Sequence, residues 1–170
     1  MEEQAFWNFI AQARQQSEST EDVPEVLAEI LSKQSIEQII EFDVVFSHFL
    51  RQSYQSRLWA AAYIVNGGCA DDGFEYFRCW LIAQGKENYE KVLIDPEYLA
   101  ELTDDFDLDC EPMLYVGSMA FEMKTGKDFD AYHDLREIKG HIAYPDITID
   151  WNEDTVGALF PGLTAKFTEN

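Results

Sequence analysis

Apolar residues recur every three to four positions along most of the chain, the period of a helix that buries one face. From Glu2 to about Gln16, residues Ala5, Phe6, Phe9, Ile10 and Ala13 share such a face. A polar break spans Gln15 to Glu21. Asp22 with Glu25 then reads as a capping box, with Pro24 in the first turn and Val26, Leu27, Ile30 and Leu31 facing inward. Ser35 and Gln38 form a second box, opening a helix that carries Ile36, Ile39, Phe42, Phe46, Phe49 and Leu50. Leu58 to Val65 continues the pattern, and Asn66-Gly67-Gly68 ends it, because Gly accepts the left-handed cap conformation. Asp72 and Glu75 open the next helix, with Asp72 as its predicted N-cap, and Gly85 closes it.

Beyond Gly85 the punctuation is sparser. Asp95-Pro96 starts a short helix. Pro112 starts one that runs to about Lys124, and Gly126 ends it. Asp128 to Glu137 is compatible with helix, and Gly140 to Trp151 is mixed, with Ile147-Thr148-Ile149 reading as extended. Glu153 to Phe160 reads as a last short helix stopped by Pro161-Gly162. The pattern predicts a mainly α fold: one domain over residues 1–170, an irregular bundle of about six to eight helices, with a less regular C-terminal extension from about residue 126.

Composition sharpens this in one respect. The 170 residues are 46% apolar, enough for a real core, yet 12 basic residues face 33 acidic ones and the net charge is −21. Such a charge repels nucleic-acid backbone and anionic lipid, which argues against nucleic-acid or membrane partners and toward a basic protein. The acid is concentrated. No Lys or Arg lies between Lys91 and Lys124, a window that holds Asp95, Glu97, Glu101, Asp104, Asp105, Asp107, Asp109, Glu111 and Glu122. The longest apolar run, Leu58 to Val65, is too short for a bilayer, and Glu2-Glu3 is no basic signal-peptide start. Cys69, Cys79 and Cys110 are odd in number and lack metal-ligand spacing; Cys69 and Cys79 sit among small or apolar residues, where buried thiols are common. Together these features predict a cytoplasmic protein that needs no cofactor or metal.

Few residues suggest chemistry. Asp71 and Asp72 follow the Gly67-Gly68 turn, where helix capping accounts for them and ligand binding is the alternative. On a helix, Asp71, Glu75, Arg78 and Ile82 form one stripe beside Phe74, Phe77, Leu81 and Trp80. Arg78 thus stands at the margin of an aromatic face, either paired with Glu75 or free to hold a carboxylate bidentately. Asp105 to Asp109 resembles a calcium loop only superficially, since the places that need Gly and Glu hold Cys110 and Val116. His48, His133 and His141 have no metal-binding spacing, and Ser118 lacks the flanking Gly of a nucleophile elbow.

The run Leu58-Trp59-Ala60-Ala61-Ala62-Tyr63, then Gly67-Gly68-Cys69, Asp71-Asp72, Phe74, Phe77-Arg78, Trp80-Leu81-Ile82 and Gly85 resembles the bacterial family called domain of unknown function 4240. Phe6-Trp7, Asp95-Pro96 and Leu99 extend the resemblance over roughly residues 6–121. Relatives are similar to domains beside WGR modules in proteins labelled as molybdate-metabolism regulators. The resemblance implies no reaction, cofactor or catalytic residue. The family pattern has Ser in the Gly-Cys-Ser-Asp-Asp run where this chain has Ala70. Two functional expectations follow. One is a non-enzymatic, inhibitor- or immunity-like interaction domain that meets a basic protein through Asp104, Asp105, Asp107 and Asp109. The other is a small-ligand or catalytic pocket around Asp71, Asp72 and Arg78.

Overall fold

The helical spacing is realised throughout the computed structural model, which describes residues 1–140 and 143–168. Helices α1 (Glu3–Gln16), α2 (Val23–Ser32), α3 (Ile36–Gln52), α4 (Ser56–Val65), α5 (Asp71–Ala83) and α6 (Lys86–Ile94) follow in order. After them come α7 (Leu99–Leu102), α8 (Val116–Thr125), α9 (Phe129–Glu137), α10 (Val156–Leu159) and α11 (Pro161–Thr168). Short 3-10 turns at Thr20–Asp22, Pro96–Tyr98 and Glu111–Tyr115 lead into α2, α7 and α8. Eleven α-helices among the described residues exceed the six to eight expected. Helix α6 buries only Tyr89 and Val92, so its apolar stripe is faint in sequence. The short helix α10 ends at Leu159, just before Pro161 as expected, but it is not the last: Pro161 occupies the first position of α11. Among the described residues there is no strand, and Ile147 to Ile149 pair with no neighbour. His141 lies outside the described residues.

Side-chain and glycine caps fix several boundaries. Ser35 Oγ accepts from the Gln38 backbone N–H at 3.1 Å, and Gln38 Oε1 accepts from the Ser35 backbone N–H at 3.2 Å. The box expected at Asp22 uses different residues: Asp22 closes on Ser19, accepting from its backbone N–H at 2.9 Å, and not on Glu25. Gly67 and Gly126 end α4 and α8 with φ of 64° and 71°. Gly85, between α5 and α6, has φ 88°, and a Cβ there would meet Arg14 Nη1 at 2.9 Å.

Helix α2 packs most extensively on α8 and α1, while α3 touches α1, α2, α5 and α8. Phe6 stacks on Phe42 and Phe49 at 4.7 and 5.1 Å between ring centres, and Trp7 meets Phe49 at 4.7 Å. A second aromatic row follows α5, from Trp59 to Phe74 (4.8 Å), Phe77 (6.3 Å) and Trp80 (6.0 Å). Each fully buried Phe among them stabilises by about 1.5–3 kcal/mol. Trp80 lies in the core beside Phe77, as the helix-face reading requires. Among the described residues no helix is long and apolar enough to cross a membrane.

Candidate functional site

The turn between α4 and α5 positions the first group of residues. Gly68 N–H donates to Tyr63 O at 2.9 Å, and Trp59 Nε1 donates to Cys69 O at 2.8 Å. Ala70, extended at φ −73° and ψ 178°, is the N-cap of α5, so Asp72 is not the cap. Asp71 and Asp72 occupy the first turn, exposed, where their charges complement the positive end of the helix. Asp72 Oδ1 accepts from the adjacent Gly73 N–H at 2.9 Å, and Asp71 Oδ1 accepts from the Tyr54 hydroxyl at 3.5 Å.

Arg78 lies elsewhere. It is 1% exposed, not marginal, and it makes no ion pair with Glu75. Its Nη1 donates to Leu50 O at 2.6 Å, at the C-terminal turn of α3, and its Nε donates to Phe74 O at 3.1 Å. The guanidinium stands 5.0 Å from the ring of Tyr54, 4.7 Å from Phe74 and 4.8 Å from Tyr144. Tyr144 arrives from the segment after α9. It stacks on Tyr54 at 4.7 Å, and its hydroxyl donates to Glu75 Oε1 at 2.7 Å, which is where the Glu75 carboxylate is spent. Asp71 and Asp72 are thus exposed in the first turn of α5, while Arg78 is a buried main-chain anchor under rings, with Tyr54 meeting both Asp71 and Arg78. Cys69 is half-buried rather than buried, unlike Cys79. Burial pushes its thiol up to about 12, and the positive charge of Arg78 offsets only part of that, so it is a neutral thiol near pH 7.

The acidic window is arranged differently. Asp105, Asp107 and Asp109 are exposed on the loop between α7 and the Glu111–Tyr115 turn. Asp104 is engaged by Lys166 of α11, whose Nζ also donates to Ala100 O and Thr103 O at 2.7 and 2.8 Å. That pairing holds the Asp104 carboxyl below its ordinary range. The loop is pinned at several points. Asn66 accepts from Leu108 N–H at 2.9 Å and donates to Leu108 O at 3.3 Å, and Cys110 N–H donates to Tyr76 O at 3.1 Å. Asp107 takes a left-handed φ of 61°. Between the carboxylates Phe106 remains 52% exposed, its ring edge-on to Phe167 at 5.4 Å. The alternation Asp-Phe-Asp-Leu-Asp would place Phe106 and Leu108 on one face, yet Leu108 turns inward and Phe106 outward, so the pattern did not mark Phe106 as exposed. Nothing in the sequence marked Tyr144. Among the described residues no three His, Cys, Asp or Glu side chains converge as metal ligands.

The family model described as Protein of unknown function (DUF4240) matches residues 1–123. The chain belongs to this family. No curated protein and no solved structure matches it. The match ends within α8, so the DUF4240 region contains the α4–α5 turn, Arg78 and the acidic loop, while Tyr144 and Lys166 lie beyond it. The place of the family pattern's Ser is the N-cap of α5. A Ser hydroxyl at this position would cap the helix, and Ala70 offers none.

Proposed function

We propose that this protein is a non-enzymatic interaction domain whose acidic loop docks a basic protein partner. The observation that carries the reading is Phe106, a half-exposed aromatic ring held between exposed Asp105, Asp107 and Asp109 on a loop tied down by Asn66 and Tyr76. An aromatic anchor within a charged rim is the usual make-up of a binding hot spot. A loop already fixed in place loses little entropy on docking. Carboxylates on a chain of net charge −21 speed encounter with a cationic surface and select for it. Asp104 belongs to this surface only in part, because Lys166 neutralises it. The alternative pocket has less support, because Arg78 is buried and its guanidinium donates to Leu50 O and Phe74 O.

The test uses protein captured at low salt from bacterial lysate, then association kinetics with the captured partner. Asp105, Asp107 and Asp109 changed together to Asn should slow association by about tenfold and flatten its salt dependence. Phe106→Ala should raise the dissociation rate instead, by about tenfold or more. Association and dissociation rates equal to wild type in both variants refute the reading.

A further inference from the structure

The last turn of α3 and the segment after α9 border a cavity of about 400 Å3. That volume is within the range of small-molecule sites, about 300–1,000 Å3. Ala143 and Pro145 form one side, while Tyr144 between them stacks on Tyr54. This side lies beyond the residues that the family model matches.

The other side is polar and carries donors. In a chain with 33 acidic residues, none of the described lining residues is Asp or Glu; the polar ones are His48, Arg51, Gln52 and Gln55, with Tyr54 beside them. Arg51 is half-buried, and among the described residues it forms no ion pair and its guanidinium donates no hydrogen bond. The helix dipole favours a cation at this end of α3, but it leaves the five N–H groups of the guanidinium unfilled. The carbonyls of the last turn do not need them. Phe49 O accepts from Ser53 and Tyr89, Leu50 O from Arg78, Arg51 O from the Tyr54 N–H, and Gln52 O from Gln55 Nε2. The Gln52 amide accepts from the Tyr89 hydroxyl at 3.5 Å, and among the described residues its N–H groups stay free. The carboxylates that touch the surrounding rings are turned to other partners. Asp71 meets the Tyr54 hydroxyl at 3.5 Å, and Glu75 accepts from the Tyr144 hydroxyl at 2.7 Å. Asp146, next to Pro145, is exposed and does not line the cavity.

We infer that this cavity binds a small organic monocarboxylate. The carboxylate takes the planar fork of Arg51 bidentately, with the Gln52 amide as a further donor, and a compact apolar body lies against Tyr54, Ala143 and Pro145. A single negative charge matches the single guanidinium, whereas a second would meet only the repulsion of a chain at −21. The site shares no residue with the acidic loop.

The probe is benzoate, titrated calorimetrically into the full chain, with benzyl alcohol and benzylammonium as neutral and cationic counterparts on the same ring. Saturable one-to-one binding of benzoate is expected, with both counterparts weaker by about tenfold or more, the scale of a lost charge-assisted hydrogen bond. Arg51→Gln should weaken benzoate by a similar factor and keep the wild-type urea midpoint, since Arg51 bonds nothing else among the described residues. Arg57→Gln removes the same charge from an exposed arginine that lies over the Phe160 ring, outside the cavity, and should bind benzoate as wild type does. The proposal is overturned if benzoate does not saturate, if either counterpart binds as tightly, or if Arg51→Gln binds unchanged. It is equally overturned if Arg57→Gln loses as much affinity, or if Arg51→Gln lowers the urea midpoint, which would show the guanidinium already spent within the fold.

Discussion

Ala70→Ser should stabilise the fold. Ala70 already has the extended backbone of an N-cap, and it is exposed, so a hydroxyl there needs no desolvation. The first turn of α5 has no side-chain cap; Gly73 N–H finds only the strained i,i+1 contact with Asp72 Oδ1 at 2.9 Å. A Ser Oγ reaches the N–H of Asp72 or Gly73, which in other proteins contributes about 0.5–2 kcal/mol over Ala. Two terms reduce this here. Asp71 and Asp72 already complement the helix dipole, and Asp72 already competes for one donor. The expected gain is therefore about 0.5–1 kcal/mol, a rise in Tm of about 1–4 °C for a chain of this length. Urea unfolding followed by circular dichroism measures it, and the midpoint should rise with no change in m. An unchanged or lowered midpoint refutes the capping account, and the family pattern's Ser would then need a chemical role.

Asp72→Ala should cost only about 0.3–1 kcal/mol, the dipole contribution, rather than the larger loss of a cap, and the same urea titration measures it. Trp80→Ala should cost about 3–5 kcal/mol, read from the same titration, because the ring fills the core beside Phe77; an unchanged midpoint would contradict the packing. Tyr144→Ala removes the outer ring over Arg78 and should lower stability by about 1 kcal/mol while making residues 143–151 more sensitive to limited proteolysis; Tyr144→Phe, which keeps the ring, should protect that segment. The Asp104–Lys166 pair makes a pH prediction. Lys166 lowers the Asp104 pKa in the folded chain, so the pair's stabilisation is present above the ordinary carboxylate range and is lost as pH falls through the lowered value. The difference in Tm between wild type and Lys166→Met should accordingly shrink between about pH 6 and pH 3, and a constant difference would count against the pair.

What the sequence determined by itself is local. Ser35 with Gln38, Gly67 and Gly126 mark helix ends because each cap is made within a few residues, and the core face of α5 follows from spacing alone. The charge of residues 95–111 is legible for the same reason. The fates of Arg78 and Pro161 are not local. Arg78 has the spacing of a margin residue, but Leu50 O, 28 positions away, and the rings of Tyr54 and Tyr144 close around it. Pro161 reads as a stop until Glu97 arrives from 65 residues away and accepts the Gly162 N–H at 3.1 Å, with Leu163 N–H at 2.9 Å. The free N–H groups at that helix start are satisfied by a carboxylate that only the folded chain brings near. Asp43 and Arg136 likewise meet across 93 positions. A side chain's neighbours along a helix follow from its period, but the partner of a buried polar group is chosen by packing, and that choice decided every candidate site in this protein.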